Sequence, residues 1–229
     1  NPLTFKNIMS AEPLPTSAPV SPIANQSNNA EAHAAGEVWA SMLFQSYVGL
    51  LKNAESPAAP YTFDEARRRM GDYVVAGMTL APADPTYLEQ RDGLLAAAAA
   101  ADPGDLAILA KGFADRGAGT CAVSPPRDST DFAGVVESFD VVPNVAIDSI
   151  EVDDGVSSCD GDGYLDAGEV GNVTVHMTNT GPMANPSVTA TVTTSTPGVT
   201  FPNGATIDFG AMDIFSSKSA SIAVALDPS

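Results

Sequence analysis

The densest group of potential metal ligands in the chain lies between Ser158 and Glu169. Read as a twelve-residue calcium loop, this segment has oxygen donors at positions 1, 3, 5, 7, 9 and 12. The donors are the side chains of Ser158, Asp160, Asp162, Asp166 and Glu169, with the backbone carbonyl of Tyr164 at position 7. Gly163 is at position 6, where a sharp turn favours a residue that tolerates positive φ. The spacing therefore predicts a calcium site in loop 158–169.

Two features distinguish this loop from a helix–loop–helix calcium sensor. Position 1 is serine rather than aspartate, so we expect a nearby acid, Asp154 or Asp153, to complete the ligand set. The residues from Val170 to Thr178 alternate as a strand does, which predicts a loop attached to a sheet. The alternative is an acidic, glycine-rich turn that holds no ion.

Residues 148–181 resemble the acidic loop that opens many secreted bacterial immunoglobulin-like domains. The shared pattern is Asp-Gly-Asp-Gly and a Gly-Glu pair, followed by a Val-Thr-Val strand and an Asn-Thr-Gly turn. The resemblance implies a stabilising, accessory role for this part of the chain.

A second group with chemical potential lies between Glu31 and Ala40. His33 and Glu37 are four residues apart, so on a helix they share one face. Gly36 between them allows another chain or a ligand to approach closely. On spacing alone, a single histidine is more often a packing or surface residue than a functional one.

Composition excludes some partners and leaves the redox state open. The net charge of −18 comes from 28 acidic and 10 basic residues, which disfavours binding to nucleic acid or to an anionic membrane surface. No apolar run approaches the roughly 20 residues that a membrane-spanning helix needs.

The two cysteines, Cys121 and Cys159, are consistent with a disulfide in an exported protein and with ordinary thiols. The opening segment Asn1–Phe5 has no initiator Met and no signal peptide, so we expect a fragment of a longer protein.

The first 140 residues predict an all-α unit of four helices. Apolar residues from Trp39 to Leu51 recur at three- and four-residue spacing, and Thr62 with Glu65 forms a capping box for the second helix. Asp84-Pro85 and Asp102-Pro103 predict the starts of the third and fourth helices, each with Asp as N-cap and Pro in the first turn. The last helix is expected to end by Gly117, and residues 10–30 are predicted to form a surface strap.

From Val145 onward, apolar and polar residues alternate as they do in the strands of an antiparallel β-sandwich. The strand-like segments are 147–150, 173–177, 188–192 and 219–224, with turn signals between them. His176 is expected to face solvent, because its neighbours in the strand are apolar. The predicted fold class is α+β multidomain, with an all-α lobe over 1–140 and an immunoglobulin-like sandwich over 146–229.

Several short motifs in the first 140 residues resemble the C-terminal lobe of the fungalysin-type zinc metallopeptidases. They are the His33 stretch, Asp84-Pro85-Thr86-Tyr87, Gln90-Arg91-Asp92, the segment 113–119 and the opening 1–4. The resemblance implies a thermolysin-like architecture, in which an N-terminal lobe carries a His-Glu-x-x-His zinc helix and a further Glu ligand. It also implies that His33 donates a hydrogen bond to the oxyanion of the tetrahedral intermediate, with Glu31 or Glu37 orienting its ring.

The chain departs from the family pattern in one respect that affects activity. It contains only His33 and His176 and no His-Glu-x-x-His, so zinc is not expected to be bound by these residues. We therefore expect a piece of a secreted, extracellular zinc endopeptidase that acts on protein or peptide substrates with a separate N-terminal zinc-binding lobe, and that is inactive alone. One alternative is a matured subunit that reassociates with this lobe. The other is a non-enzymatic surface or adhesion protein with a helical bundle and a spacer sandwich.

Overall fold

The computed structural model describes residues 2–15 and 29–228. In these residues the fold is α+β, with four α-helices followed by antiparallel sheets. The chain divides into two compact units, which we call the helical unit (Asn1–Val142) and the strand unit (Pro143–Ser229). Most of the strap predicted over residues 10–30 lies outside the described residues.

The helical unit begins with a short 3₁₀ helix at Phe5–Ile8. The four α-helices are α1 (Ala32–Ala54), α2 (Phe63–Leu80), α3 (Tyr87–Ala101) and α4 (Pro103–Ala114). The largest fully buried side chains of the helical unit form its core: Phe5 and Ile8 from the 3₁₀ helix, and Val38, Met42, Leu50, Leu94, Leu109 and Phe113 from the α-helices. Aromatic rings connect α1 to α3, since Trp39 and Tyr87 lie edge to face with their centroids 5.9 Å apart.

The helix starts confirm two predictions and correct a third. Thr62 and Glu65 form the predicted capping box of α2, and Asp102 caps α4 with Pro103 in its first turn. The prediction of Asp84 as N-cap of α3 is wrong, because Thr86 caps that helix and forms a capping box with Glu89. Asp84 has a φ of 56°, outside the extended backbone that an N-cap adopts.

Helix α4 ends before Gly117, the residue predicted to end it. Its last residue is Ala114, and Gly117 follows outside the helix with a φ of 80°. This left-handed conformation is the one in which glycine commonly terminates helices.

Helices α2 and α3 approach so closely that their backbones are in contact. A Cβ atom added at Gly77 would lie 2.7 Å from the Cα atom of Leu94, and one added at Gly93 would lie 2.6 Å from the Gly77 carbonyl oxygen. Glycine is required at both positions because no side-chain atom fits between the helices.

The strand unit contains two antiparallel sheets in its described residues. The strands are β1 (Val145–Ser157), β2 (Val170–Asn179), β3 (Asn185–Thr191), β4 (Val199–Thr200), β5 (Thr206–Met212) and β6 (Ser217–Leu226). The first sheet has the order β1-β2-β6-β4, and the second consists of β3 and β5. Strands β1, β2 and β6 contain the predicted segments 147–150, 173–177 and 219–224, and β3 ends at Thr191, one residue before the end of the predicted segment 188–192. Strands β4 and β5 had not been predicted.

A single hydrophobic core joins the two sheets. Its buried members are Val173, Val175, Met177, Val188, Ile207, Phe209, Met212 and Val224. They come from β2 and β6 of the first sheet and from both strands of the second. His176 lies on the opposite side of β2, with its Nδ1 atom 2.6 Å from the Ser219 hydroxyl and its side chain 32% exposed.

Candidate functional site

The first turn of α1 holds His33 at the protein surface. Glu31 is the N-cap of this helix, and its Oε2 atom accepts hydrogen bonds from the backbone N–H groups of His33 and Ala34 at 2.9 and 3.4 Å. The other oxygen of Glu31, Oε1, lies 2.7 Å from Nδ1 of His33. The same carboxylate therefore caps the helix and fixes the imidazole ring.

The His33–Glu31 contact changes the acidity of both groups. The hydrogen bond and the negative charge of Glu31 raise the pKa of His33. The hydrogen bond to His33, followed by the two backbone N–H bonds, lowers the pKa of Glu31. The imidazole therefore stays protonated to a higher pH than an isolated histidine does.

The imidazole is accessible from solvent. The His33 side chain is 68% exposed, and its Nε2 atom has no hydrogen-bond partner among residues 2–15 and 29–228. Glu37 is also exposed, one turn further along α1. Of the two candidates for orienting the ring, the structure brings Glu31 into contact with it.

The acidic loop brings together three of its predicted ligands. One carboxylate oxygen from each of Asp154, Asp160 and Asp162 lies within 4.8 Å of those of the other two. Asp154, on β1, is only 7% exposed, and its Oδ2 accepts a hydrogen bond from the Gly163 backbone N–H at 3.3 Å. Asp160 and Asp162 are exposed. Hard oxygen donors of this kind are those that calcium prefers.

Glu169 lies at the base of the same loop and holds it closed. The side chain is 1% exposed, and Oε1 accepts hydrogen bonds from the Ser158 hydroxyl at 3.1 Å and the Cys159 N–H at 2.5 Å. Its second oxygen, Oε2, accepts one from the Asp166 N–H at 2.8 Å. These backbone bonds lower the pKa of Glu169, so it stays ionised inside the loop.

The remaining predicted ligands are less closely grouped. Local desolvation of this exposed carboxylate, and then the negative charges of Asp162, Glu169, Asp160 and Asp154, raise the pKa of Asp166. Asp153 faces away, with Oδ1 accepting bonds from the Gly155 N–H and the Asn172 amide. The Tyr164 side chain is 74% exposed, as expected if only its backbone carbonyl takes part.

Comparison with known proteins decides the relationship of the helical unit. The sequence model of the fungalysin metallopeptidase (M36) family matches residues 1–122. The chain belongs to the fungalysin metallopeptidase family. The match includes α1 with His33 and Glu31, and it ends before the strand unit begins.

Curated relatives of this fungalysin-family chain are fungal extracellular proteinases. Extracellular metalloproteinase 1 of Trichophyton equinum is 32% identical over 127 residues, which cover 52% of this chain and 21% of the relative. Extracellular metalloproteinase MEP of Leptosphaeria maculans is 34% identical over 107 residues, covering 43% and 17%. An extracellular metalloproteinase of Aspergillus terreus is 32% identical over 143 residues, covering 58% and 22%. The chain thus spans about a fifth of the length of the curated relatives it matches.

In residues 2–15 and 29–228 of this fungalysin-family chain, the one candidate metal group does not fit a zinc site. Protein zinc sites use cysteine, histidine and carboxylate ligands, usually with nitrogen or sulfur in the set. In the described residues, the one group able to hold a metal consists of the three aspartates Asp154, Asp160 and Asp162. This donor set contains only hard carboxylate oxygens and no nitrogen or sulfur ligand.

Two other sequence predictions concern the cysteines and the membrane. Cys159 has an exposed thiol and Cys121 is also exposed, in the other unit, so the disulfide stays a prediction. Over the part of the chain that is described, no helix combines the length and apolarity needed to cross a membrane.

A buried polar network that was not predicted from the sequence supports the helical unit. Asp105, on α4, is 1% exposed and accepts hydrogen bonds from the hydroxyls of Tyr61 and Tyr73 at 2.8 and 2.7 Å. Arg69 bonds it at 2.8 Å and also reaches Asp102. Burial raises the pKa of Tyr61 to about 12, so its hydroxyl stays a donor. The two Tyr residues and Arg69 lie far from Asp105 in sequence, so no local pattern reveals the network.

Proposed function

We propose that the helical unit supplies one wall of the substrate cleft of a secreted zinc endopeptidase, and that His33 is its oxyanion-stabilising residue. The observation that carries the proposal is the position of this ring in a fungalysin-family chain. It is exposed on the first turn of α1, and its Nδ1 atom is held by Glu31. The relatives' extracellular location supports secretion.

The hydrogen bond to Glu31 determines how His33 can act. With Nδ1–H donating to the carboxylate, Nε2 carries a proton only in the imidazolium form. The raised pKa favours this form, so Nε2–H is available as a charge-assisted donor toward solvent. When an attacking water places negative charge on a peptide carbonyl oxygen, such a donor stabilises the transition state more than the ground state.

We infer that zinc is bound by a region outside these 229 residues. The chain contains no His-Glu-x-x-His, and its described metal-ligand cluster suits a hard cation. The N-terminal zinc-binding lobe is thus the main partner, and a protein or peptide chain bound between the two lobes is the substrate. The helical unit without this lobe is expected to be inactive.

We further propose that loop 158–169 binds calcium and stabilises an immunoglobulin-like sandwich. Asp154, Asp160 and Asp162 supply the central oxygens, and Asp166 and the Tyr164 carbonyl lie in the same loop. Glu169 contributes mainly by closing the loop through its bonds to Cys159 and Asp166. Millimolar extracellular calcium would fill even a weak site of this kind.

Mass spectrometry of the protein purified from its native source tests the peptidase proposal. The proposal predicts that residues 1–229 occur in, or co-purify with, a polypeptide that carries His-Glu-x-x-His, and that this material contains zinc. The alternative, a non-enzymatic surface protein, predicts an unrelated neighbouring domain and no zinc. The second result would remove the peptidase proposal and leave the calcium proposal standing.

A further inference from the structure

One face of β1 remains uncovered although it continues the hydrophobic core. Ile147, Ile150 and Val152 pair directly with Met177, Val175 and Val173 of β2. Residues opposite each other in an antiparallel pair project to the same side of the sheet. The three β2 side chains are 7%, 2% and 6% exposed, so this is the side that faces the core.

The β1 side chains on that side are not buried. Ile147, Ile150 and Val152 are 56%, 58% and 52% exposed. The core residues come from β2, β3, β5 and β6, and the second sheet has only two strands, which leave β1 without a covering layer in the described residues. We call these three side chains the β1 apolar row.

Strand β1 also has a free edge. It is terminal in the order β1-β2-β6-β4, and no strand among residues 29–228 pairs with its other side. The segment 149–153 lies in regular register between two irregularities, so its unpaired N–H and C=O groups form a short, straight template. Such an edge accepts an added strand, and backbone hydrogen bonds then supply the pairing.

The charged side chains of β1 determine which residues an added strand needs on the side opposite the apolar row. Glu151 and Asp153 alternate with the apolar row and project to the opposite side, where they pair with Thr174 and Asn172. A strand laid along this edge therefore meets apolar side chains on one side and carboxylates on the other. Favourable cross-strand pairs require apolar residues alternating with basic ones.

We propose that β1 is a docking edge for an extended peptide segment in which apolar and basic residues alternate. A second copy of this chain is disfavoured, because Lys218 is the one Lys or Arg residue after Asn144. Its ammonium group donates to the carbonyls of Phe209 and Ala211. The strand unit has no other Lys or Arg to place opposite Glu151 and Asp153 of a neighbouring copy.

The test is an NMR titration of the full chain with a capped eight-residue peptide of alternating lysine and valine. Two control peptides are matched in length: four lysines followed by four valines, and alternating glutamate and valine. The proposal predicts at least tenfold tighter binding of the alternating Lys-Val peptide, with amide shifts centred on 149–153 and slower hydrogen exchange there. Added salt should weaken this binding, because the charges are exposed.

Substitutions in the row provide the second arm. Ile150→Thr with Val152→Thr keeps β-branched side chains in the strand and removes the apolar contacts, so binding should weaken at least tenfold. Val75→Thr, at an exposed position of α2, is the matched control and should change nothing. Equal affinity for the three peptides, or shifts outside β1, would overturn the proposal. So would self-association of the chain that the double variant abolishes, which would assign the edge to a second copy.

Discussion

The Glu31 carboxylate makes two contacts with His33. It accepts a hydrogen bond from the His33 backbone N–H at 2.9 Å, and it lies 2.7 Å from Nδ1 of the His33 ring. One carboxylate thereby accepts hydrogen bonds from backbone N–H groups that would be unpaired at the start of α1. The same carboxylate sets the orientation and the acidity of an exposed imidazole. Cap and candidate functional residue are a single local unit, two residues apart in sequence.

The first prediction concerns the acidity of His33. Glu31→Gln removes the negative charge that favours the imidazolium, so the pKa of His33 should fall toward its ordinary value. Because the folded pKa is raised, the contact stabilises the fold fully below the unfolded pKa, and this contribution is lost as pH rises through the folded value. NMR titration of the ring protons measures the pKa of His33. The His176→Gln variant identifies which resonances belong to His33. Glu37→Gln is the control, and an equal effect from it would contradict the assigned contact.

The second prediction concerns the buried network of α4. Asp105→Asn leaves Arg69 facing a neutral amide and disturbs the bonds from Tyr61 and Tyr73, so the helical unit should lose about 3 kcal/mol of unfolding free energy. Urea denaturation followed by helical circular dichroism measures the change. The control is Asp64→Asn, which breaks an exposed pair with Arg67 and should cost less than about 1 kcal/mol. Similar losses in both variants would show that the network does not stabilise the unit.

The third prediction uses two glycines of the same helix. Gly71→Ala should stabilise α2 by up to about 1 kcal/mol, because no atom lies within 4 Å of the added Cβ and alanine favours helix. Gly77→Ala should destabilise the unit, because the Cβ would lie 2.7 Å from the Leu94 backbone. Thermal melting of both variants separates the effects. A stabilised Gly77 variant would mean that α2 and α3 are not in backbone contact.

The fourth prediction concerns calcium. Chelation should lower the melting temperature of the strand unit by about 4–8 °C for each kcal/mol of binding free energy lost, and added zinc should not replace calcium. Asp160→Asn with Asp162→Asn should abolish the calcium effect. Asp227→Asn, an exposed change in the same unit, should preserve it. An unchanged melting curve with and without chelator would show that the loop is an acidic turn without an ion.

The same loop predicts a pH dependence of calcium affinity. The pKa of Asp166 is raised by local desolvation and by neighbouring carboxylates, so protons compete with the cation there more than at an isolated aspartate. Calcium affinity should therefore fall as the pH is lowered toward the range in which Asp166 titrates. Calorimetric titrations at several pH values measure this fall, and Asp166→Asn should reduce it. An affinity independent of pH in the wild-type chain would exclude Asp166 from the site.

Local signals in the sequence were sufficient where the structure depends on neighbouring residues. The Thr62–Glu65 capping box and the Asp102-Pro103 start involve contacts within one turn, and both lie where predicted. Asp84-Pro85 predicted the wrong N-cap for α3, because a second capping signal, Thr86 with Glu89, follows directly and forms the cap. Strand β5 was missed although Ile207 and Phe209 alternate, since Gly210 interrupts the pattern with a φ of 65°.

Features that depend on long-range packing were outside the reach of the sequence. The choice between Asp153 and Asp154 required the fold of the loop against β1. The choice between Glu31 and Glu37 is local, but it required the cap geometry at the start of α1. The exposure of Ile150 follows from the absence of a strand above β1 in the described residues, which no pattern within β1 reveals.

The central claim, that His33 stabilises the oxyanion, is tested most directly by steady-state kinetics of the peptidase assembled with its zinc-binding lobe. Replacing His33 by Gln or Ala should lower kcat by roughly 10²–10³-fold with little change in KM, as for loss of other oxyanion donors. Glu31→Gln should shift the alkaline limb of the wild-type pH profile to lower pH. Full kcat in both His33 variants, with zinc content unchanged, would contradict the account.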